Sequence, residues 1–228
     1  MTQVVELAGA VRDYPGKGHD RLFIDDAHAF GGIFDGAGGA ELSQLISRNL
    51  PAWLDTYAGS REASDEHFLT SIMHKADNLP AGNLRKATAA VACTSLRAAG
   101  LQLSYANFGD SSIYFYDHTT ETMQRLAHNE TTNFQSNGNW YVSTADFLGN
   151  FRTLEAVKPY IGQLLLPPEA HWTLLGFSDG VQDDDGAGLA TSLLRDFIER
   201  VPLAQLPEAI LDAYEPYDDA SVFVMSRR

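Results

Sequence analysis

The chain has 228 residues, of which 44% are hydrophobic and 11% aromatic, and this length favours one domain over residues 1–228. A formal net charge of −14 argues against nucleic acid and membrane surfaces as partners, because anionic surfaces are bound through basic ones. Cys93 is the only cysteine, which excludes a disulfide within the chain and a cysteine-based zinc site. Neither a secretory signal nor a membrane-spanning stretch is visible, so we expect a cytoplasmic protein.

The first third of the chain predicts strands followed by two helices. Residues 4–22 are expected to hold an early strand and a polar loop, and residues 30–34 a strand that leads into Asp35. Apolar side chains at helical spacing then predict amphipathic helices over residues 40–54 and 65–79.

The middle of the chain predicts an antiparallel meander. Short β-type segments separated by turn residues lie at residues 88–96, 101–107, 111–116 and 123–126. Residues 128–150 are polar and show no clear periodicity, so we expect a loop or lid there.

The last third predicts a strand, two helices and a closing strand. These elements are expected at residues 172–177, 189–201, 204–214 and 221–225. Two pairs of helices that alternate with two groups of strands indicate an α+β layered sandwich.

Acidic residues recur where an apolar run meets a tight turn, at Asp35, Asp110, Asp179 and the pair Asp218–Asp219. On its own, an Asp-Gly pair such as Asp35-Gly36 is better explained as a simple turn. Brought together by the fold, however, carboxylates within about 5 Å of one another must lose ionisation or gain a cation. Because every prospective ligand is an oxygen donor, the pattern favours Mg²⁺ or Mn²⁺, and a pair of such ions can activate a bridging water.

Four motifs in this order resemble the metal-dependent serine/threonine protein phosphatases of the PPM (type 2C) family. They are Phe-Asp-Gly-Ala-Gly-Gly at 34–39, Ala-Asn-Phe-Gly-Asp-Ser at 106–111, Gly-Phe-Ser-Asp-Gly-Val at 176–181 and Asp-Asp-Ala-Ser-Val at 218–222. The resemblance implies a four-layer αββα sandwich of two antiparallel sheets flanked by helices. It also implies hydrolysis of phosphoserine and phosphothreonine in a phosphorylated protein substrate, with a Ser/Thr kinase as a further partner.

The resemblance implies a two-ion centre of Mg²⁺ or Mn²⁺ with three catalytic aspartates. Asp35 corresponds to the carboxylate that bridges the ions, and Gly36 to a ligand that binds through its backbone carbonyl. Asp179 and Asp218 correspond to the aspartates that complete the centre.

Three further acidic positions follow from the same resemblance. Asp110 and Asp183 match the pair that holds a weaker third metal in many members of the family. Asp20 lies where the family has its first acidic motif, although a solvated turn explains His19 and Asp20 equally well.

The chain departs from the family at several positions. His19 replaces an acidic residue, and Ala37 stands where eukaryotic members have a histidine. Pro15 lies closest to the position of the phosphate-binding arginine, which leaves Arg12 or Lys17 as substitutes, with Arg12 preferred.

These departures motivate an alternative in which the chain is a catalytically weak or inactive phosphatase-like binding or regulatory module. A serine hydrolase is a weaker alternative. Residues 176–180 fit its nucleophile motif, but the last histidine, His171, precedes Ser178 and supplies no base in that family's chain order.

Overall fold

The computed structural model describes residues 5–57, 65–79, 86–127, 131–136, 139–144, 160–181, 191–214 and 218–228. The strands in these ranges are β1 (Glu6–Arg12), β2 (Arg21–Asp25), β3 (Phe30–Ala37), β4 (Lys86–Arg97), β5 (Gly100–Phe108), β6 (Ser112–Asp117), β7 (Thr122–Ala127), β8 (Thr131–Ser136), β9 (Asn139–Thr144), β10 (Tyr160–Leu166), β11 (Trp172–Phe177) and β12 (Ala220–Arg227). The α-helices are α1 (Glu41–Tyr57), α2 (Asp65–Asp77), α3 (Thr191–Arg200) and α4 (Leu206–Asp212).

The strands form two five-stranded antiparallel sheets. The first sheet has the order β1-β12-β11-β6-β7, and the second has the order β10-β5-β4-β3-β2. Strands β8 and β9 pair only with each other among the described residues. Within the described helices, none is long and apolar enough to cross a membrane.

Three apolar clusters hold the layers together. One joins α1 and α2 to the second sheet and includes Phe34. Another joins α3 and α4 to the first sheet and includes Leu175. The third lies between the two sheets and contains Ile33, Trp172 and Phe223. The layer order is therefore helices, sheet, sheet and helices, which confirms the α+β sandwich predicted from the sequence.

The α1 helix shows how the sequence specifies this layering. Its fully buried residues Leu42, Ile46, Leu50 and Leu54 recur every fourth position and form one apolar stripe. The helix packs this stripe against the second sheet, and it extends three residues beyond the predicted end at residue 54.

The prediction of a loop over residues 128–150 was wrong in part. Strands β8 and β9 form an antiparallel hairpin in which Thr131 is opposite Thr144 and Ser136 is opposite Asn139. These strands are rich in Thr, Ser and Asn and lack the apolar alternation of a half-buried strand, which is why periodicity missed them. The edge strands β2 and β10 were likewise not predicted.

Phe223 fixes the contact between the two sheets. A Cβ added to Gly31 would lie 2.8 Å from Phe223 Cδ2, and one added to Gly176 would lie 2.0 Å from Phe223 Cε1. The ring therefore packs directly on the backbone of one strand from each sheet, in space that only glycine leaves open.

We predict that Phe223→Ala lowers the free energy of unfolding by about 3–5 kcal/mol, because it opens a cavity between the sheets. Chemical denaturation measures this change. Leu165→Ala is the control, since Leu165 is 59% exposed and its loss should cost less than about 0.5 kcal/mol. Equal effects of the two substitutions would contradict this account of the core.

Candidate metal centre

Five aspartates lie at the same end of the two sheets. Asp35 is near the end of β3, Asp110 lies between β5 and β6, and Asp179 lies two residues after the last residue of β11. Asp218 lies two residues before the first residue of β12, and Asp20 directly precedes β2. Because neighbouring strands in each sheet are antiparallel, strand starts and strand ends alternate along this edge. The fold therefore gathers acidic turns that are far apart in the sequence.

Asp35, Asp110 and Asp179 come closest to one another. Each offers a carboxylate oxygen, and the three oxygens all lie within 4.8 Å of one another. The three residues are half-buried, so the surrounding water screens their charges only partly. A set made only of carboxylate oxygens suits a hard divalent cation such as Mg²⁺ or Mn²⁺.

Burial and mutual repulsion raise the pKa of these carboxyl groups. The pKa of Asp35 is raised well above its ordinary value, first by burial and then by the charges of Asp20 and Asp179. Burial and the charge of Asp110 raise the pKa of Asp179 to about 6. Burial likewise raises the pKa of Asp110. A divalent cation would offset this repulsion, so the donor set fits a metal ion.

Asp20 is buried in a network of hydroxyl groups next to this cluster. Its Oδ2 accepts a hydrogen bond of 2.6 Å from Ser221 Oγ, which lies 3.1 Å from Ser178 Oγ. The Oδ1 atom is buried and has no hydrogen-bond partner among the described residues. Burial raises the pKa of Asp20 to about 6. An orphaned, buried carboxylate oxygen is itself a sign that a ligand or water belongs there.

The ammonium group of Lys17 contacts the acidic cluster through Asp218. Its Nζ lies 2.6 Å from Asp218 Oδ2, and this contact raises the pKa of Lys17. The charge of Asp179 acts on Lys17 in the same direction. Arg12, preferred from the sequence as the phosphate-binding residue, directs its guanidinium toward α4, where it contacts Leu211 O at 2.9 Å and Asp212 Oδ1 at 2.7 Å.

Asp219 holds the loop that carries Lys17 and Asp20. Its carboxylate accepts backbone N–H groups from Tyr14 at 2.7 Å, Gly18 at 2.9 Å and His19 at 2.6 Å. Burial alone would raise the pKa of Asp219, but these hydrogen bonds lower it below its ordinary value and keep the carboxylate ionised. In the sequence, the only signal for this role is the adjacent pair of acidic residues Asp218 and Asp219.

Two glycines allow the backbones at the centre to approach closely. A Cβ at Gly36 would lie 2.5 Å from Gly39 O and 3.0 Å from His19 O. A Cβ at Gly180 would lie 1.9 Å from Asp219 O. Any larger residue would push apart the loops that carry the aspartates.

The remaining predicted site positions fall in two groups. Thr88 is opposite Asp35 in the β3–β4 pairing, and its hydroxyl lies 3.1 Å from Ser111 Oγ. Asp183 lies outside the described residues, so its predicted role as a metal ligand stays a prediction.

No protein-family profile and no curated protein sequence match this chain. Solved structures do match it. A sex-determining protein of C. elegans aligns with a TM-score of 0.74 and 18% identity over 99% of this chain, which spans 65% of that protein. The PPM Ser-Thr phosphatase MsPP of Mycobacterium smegmatis, solved with cacodylate, aligns with a TM-score of 0.68 and 16% identity over 98% of each chain.

The catalytic domain of the serine/threonine protein phosphatase PstP, solved with two manganese ions, aligns with a TM-score of 0.61 and 15% identity. That alignment covers 98% of each chain. These similarities confirm that the chain has a PPM-like fold, as the four motifs indicated. The fold and the carboxylate cluster together fit a metal-dependent phosphatase.

We predict that the metal-free protein loses stability as the pH rises from about 5 to about 7. The folded carboxyl groups of Asp20 and Asp179 have a pKa of about 6, above the value of unfolded aspartate. Their protonated forms therefore favour the folded state at low pH, and this contribution is lost as the pH passes through about 6. Differential scanning fluorimetry in EDTA measures the trend.

Adding Mn²⁺ should raise the melting temperature more at pH 7 than at pH 5, because protons compete with the metal for the carboxylates at low pH. Asp35→Asn should weaken both the pH trend and the metal effect. A melting temperature in EDTA that rises steadily between pH 5 and pH 7 would contradict the assignment of this cluster.

Proposed function

We propose that this chain is a single-domain, Mg²⁺- or Mn²⁺-dependent phosphatase that hydrolyses phosphoserine and phosphothreonine in proteins. The observation that carries the proposal is the convergence of the Asp35, Asp110 and Asp179 carboxylate oxygens within 4.8 Å of one another, in a PPM-like fold. A cytoplasmic location and a cognate Ser/Thr kinase are further parts of the proposal that rest on the sequence.

Asp35, Asp179 and Asp218 are proposed to hold two metal ions, with the Gly36 carbonyl as an additional ligand. Asp110 and Asp183 are proposed to hold a weaker third ion. Asp20, whose charge raises the pKa of Asp35 and whose buried Oδ1 lacks a hydrogen-bond partner among the described residues, is proposed as a further ligand or water acceptor. When bound, the ions would supply Lewis-acid activation of water and would neutralise charge on the phosphoryl group.

The chain's own residues contribute orientation and a positive charge. Ser221 and Ser178 hold Asp20 in one orientation, and Asp219 fixes the backbone of the preceding loop. The loop places the ammonium group of Lys17 against Asp218. If Asp218 served as a metal ligand, this ammonium group would be positioned to attract a phosphoryl oxygen. We therefore propose Lys17, in place of Arg12, as the phosphate-binding cation.

We predict that Asp179→Asn lowers kcat for a phosphothreonine peptide in Mn²⁺ by about 10²–10³-fold, because it removes a negative ligand from the centre. Phosphate release measures the change, and thermal unfolding checks that the variant is folded. Asp196→Asn, an exposed aspartate on α3, is the control and should keep wild-type turnover.

The outcomes separate the phosphatase from the regulatory module. Metal-dependent turnover that is lost in Asp179→Asn supports the phosphatase. Unchanged turnover in that variant would overturn the assignment of the centre. A wild-type chain that binds no Mn²⁺ and releases no phosphate would indicate that the fold serves as a binding module.

We predict that Lys17→Met raises the KM for a phosphothreonine peptide by about tenfold and changes kcat less, because the ammonium group binds the phosphoryl group in the ground state. Lys75→Met is the matched control, because Lys75 is an exposed residue of α2. A Mn²⁺ titration of each variant shows whether metal affinity has changed. An unaltered KM in Lys17→Met would rule out this residue as the phosphate-binding cation.

A further inference from the structure

A second cationic feature lies beside the candidate metal centre. A cavity of about 300 Å³ opens between the start of β2 and the middle of α1, and it is lined by Arg21, Gln44, Ser47 and Arg48. The three helix residues lie within one turn of each other and share a face of α1. Arg21 reaches the cavity from the edge strand of the second sheet.

The two arginines of this cavity carry positive charges that the described part of the chain does not neutralise. Arg48 makes no ion pair or hydrogen bond there, and Arg21 donates only to backbone carbonyl groups, those of Gly18 and Asp20. In contrast, Arg12 and Arg195 are both paired with carboxylates. With 30 acidic and 16 basic residues in the chain, two neighbouring unpaired arginines indicate an anionic ligand supplied from outside.

The residues that line the cavity are connected to the loop that carries Asp20. Arg21 follows Asp20 in the sequence, and its Nη1 donates a hydrogen bond of 2.9 Å to Gly18 O. Ser43, which precedes Gln44, donates a hydrogen bond of 2.5 Å to His19 O. Arg21 and Asp20 are adjacent residues, so a group bound in the cavity and a group bound at the centre can belong to one short stretch of extended peptide.

We propose that this cavity binds a second anionic side chain of the phosphorylated protein substrate, close in sequence to the phosphorylated residue. The inference rests on the proposed function and adds a substrate class to it: peptides that carry Asp, Glu or a second phosphate near the phosphorylated residue. Guanidinium groups bind carboxylate and phosphate through the same charge-assisted hydrogen bonds, so either source of the anion fits.

A panel of phosphothreonine peptides tests the inference. The parent peptide has neutral flanking residues, and each other peptide carries one Glu, or one phosphoserine, between two and four residues before or after the phosphothreonine. We expect kcat/KM in Mn²⁺ to rise by about tenfold for the best anionic position, the equivalent of one charge-assisted hydrogen bond. Comparison of the Glu and phosphoserine peptides identifies the preferred anion.

Arg48→Gln is the informative variant, because Arg21 also holds the carbonyl groups beside Asp20 and its loss would disturb a candidate ligand. The variant should reduce the preference for the best anionic peptide over the parent from about tenfold to about twofold. Arg200→Gln, an exposed arginine on α3, is the matched control and should keep the wild-type preference. An active wild type without any preference, or a preference unchanged in Arg48→Gln, would overturn the inference.

A binding measurement separates failure of this inference from failure of the proposed function. Fluorescence anisotropy of the labelled best peptide is measured with Asp179→Asn, alone and combined with Arg48→Gln. If the wild type hydrolyses no phosphopeptide, the same measurement is made with a labelled peptide that carries Glu three residues from phosphothreonine. Even then, weaker peptide binding on loss of Arg48 supports the proposal that the cavity binds an anionic side chain. Peptide binding that does not depend on Arg48 overturns this proposal.

Discussion

The repulsion among carboxylates at one end of two packed sheets is the constraint on which the site depends. Asp35, Asp110 and Asp179 come from three separate turns, yet their oxygens lie within 4.8 Å of one another. Such a cluster destabilises the folded chain at neutral pH, since burial and mutual charge hold the pKa of these groups high. The rigid packing of the sheets around Phe223 overcomes this cost, and a divalent cation would relieve it. Stability and metal binding are therefore linked through the same groups.

The loop that precedes β2 brings a positive charge, that of Lys17, to the repelling carboxylates. Asp219 accepts three backbone N–H groups of this loop and remains ionised, in contrast to its buried neighbours. By fixing the loop it places Lys17 against Asp218 on one side and Asp20 against Ser221 on the other. The Asp219 side chain thus positions both the ammonium group of Lys17 and the buried carboxylate of Asp20 at the edge of the centre. Arg21 extends the same loop toward the cavity on α1.

The sequence predicted most of the helices and the α+β sandwich, because apolar residues recur at regular spacing in α1 and form clear apolar runs in the central strands. It also predicted that Asp35, Asp110 and Asp179 would meet, from the repeated junction of an apolar run with a tight turn. It missed the edge strands and the β8–β9 hairpin, whose sequence is rich in Thr, Ser and Asn and has no clear apolar alternation. The contact between Lys17 and Asp218 could not be predicted, because it depends on a loop conformation set by Asp219, some 200 residues away in the chain. Spacing along the chain carries no information about such a contact.

Isothermal titration of the metal-free protein with Mn²⁺ at pH 7.5 tests the central claim most directly. The account predicts at least two ions per chain, with proton release on binding because the carboxyl groups have raised pKa values. In Asp35→Asn, where the proposed bridging ligand is lost, the stoichiometry should fall. A wild-type chain that binds no Mn²⁺, or binds it identically in Asp35→Asn, would contradict the assignment of these aspartates as a metal centre.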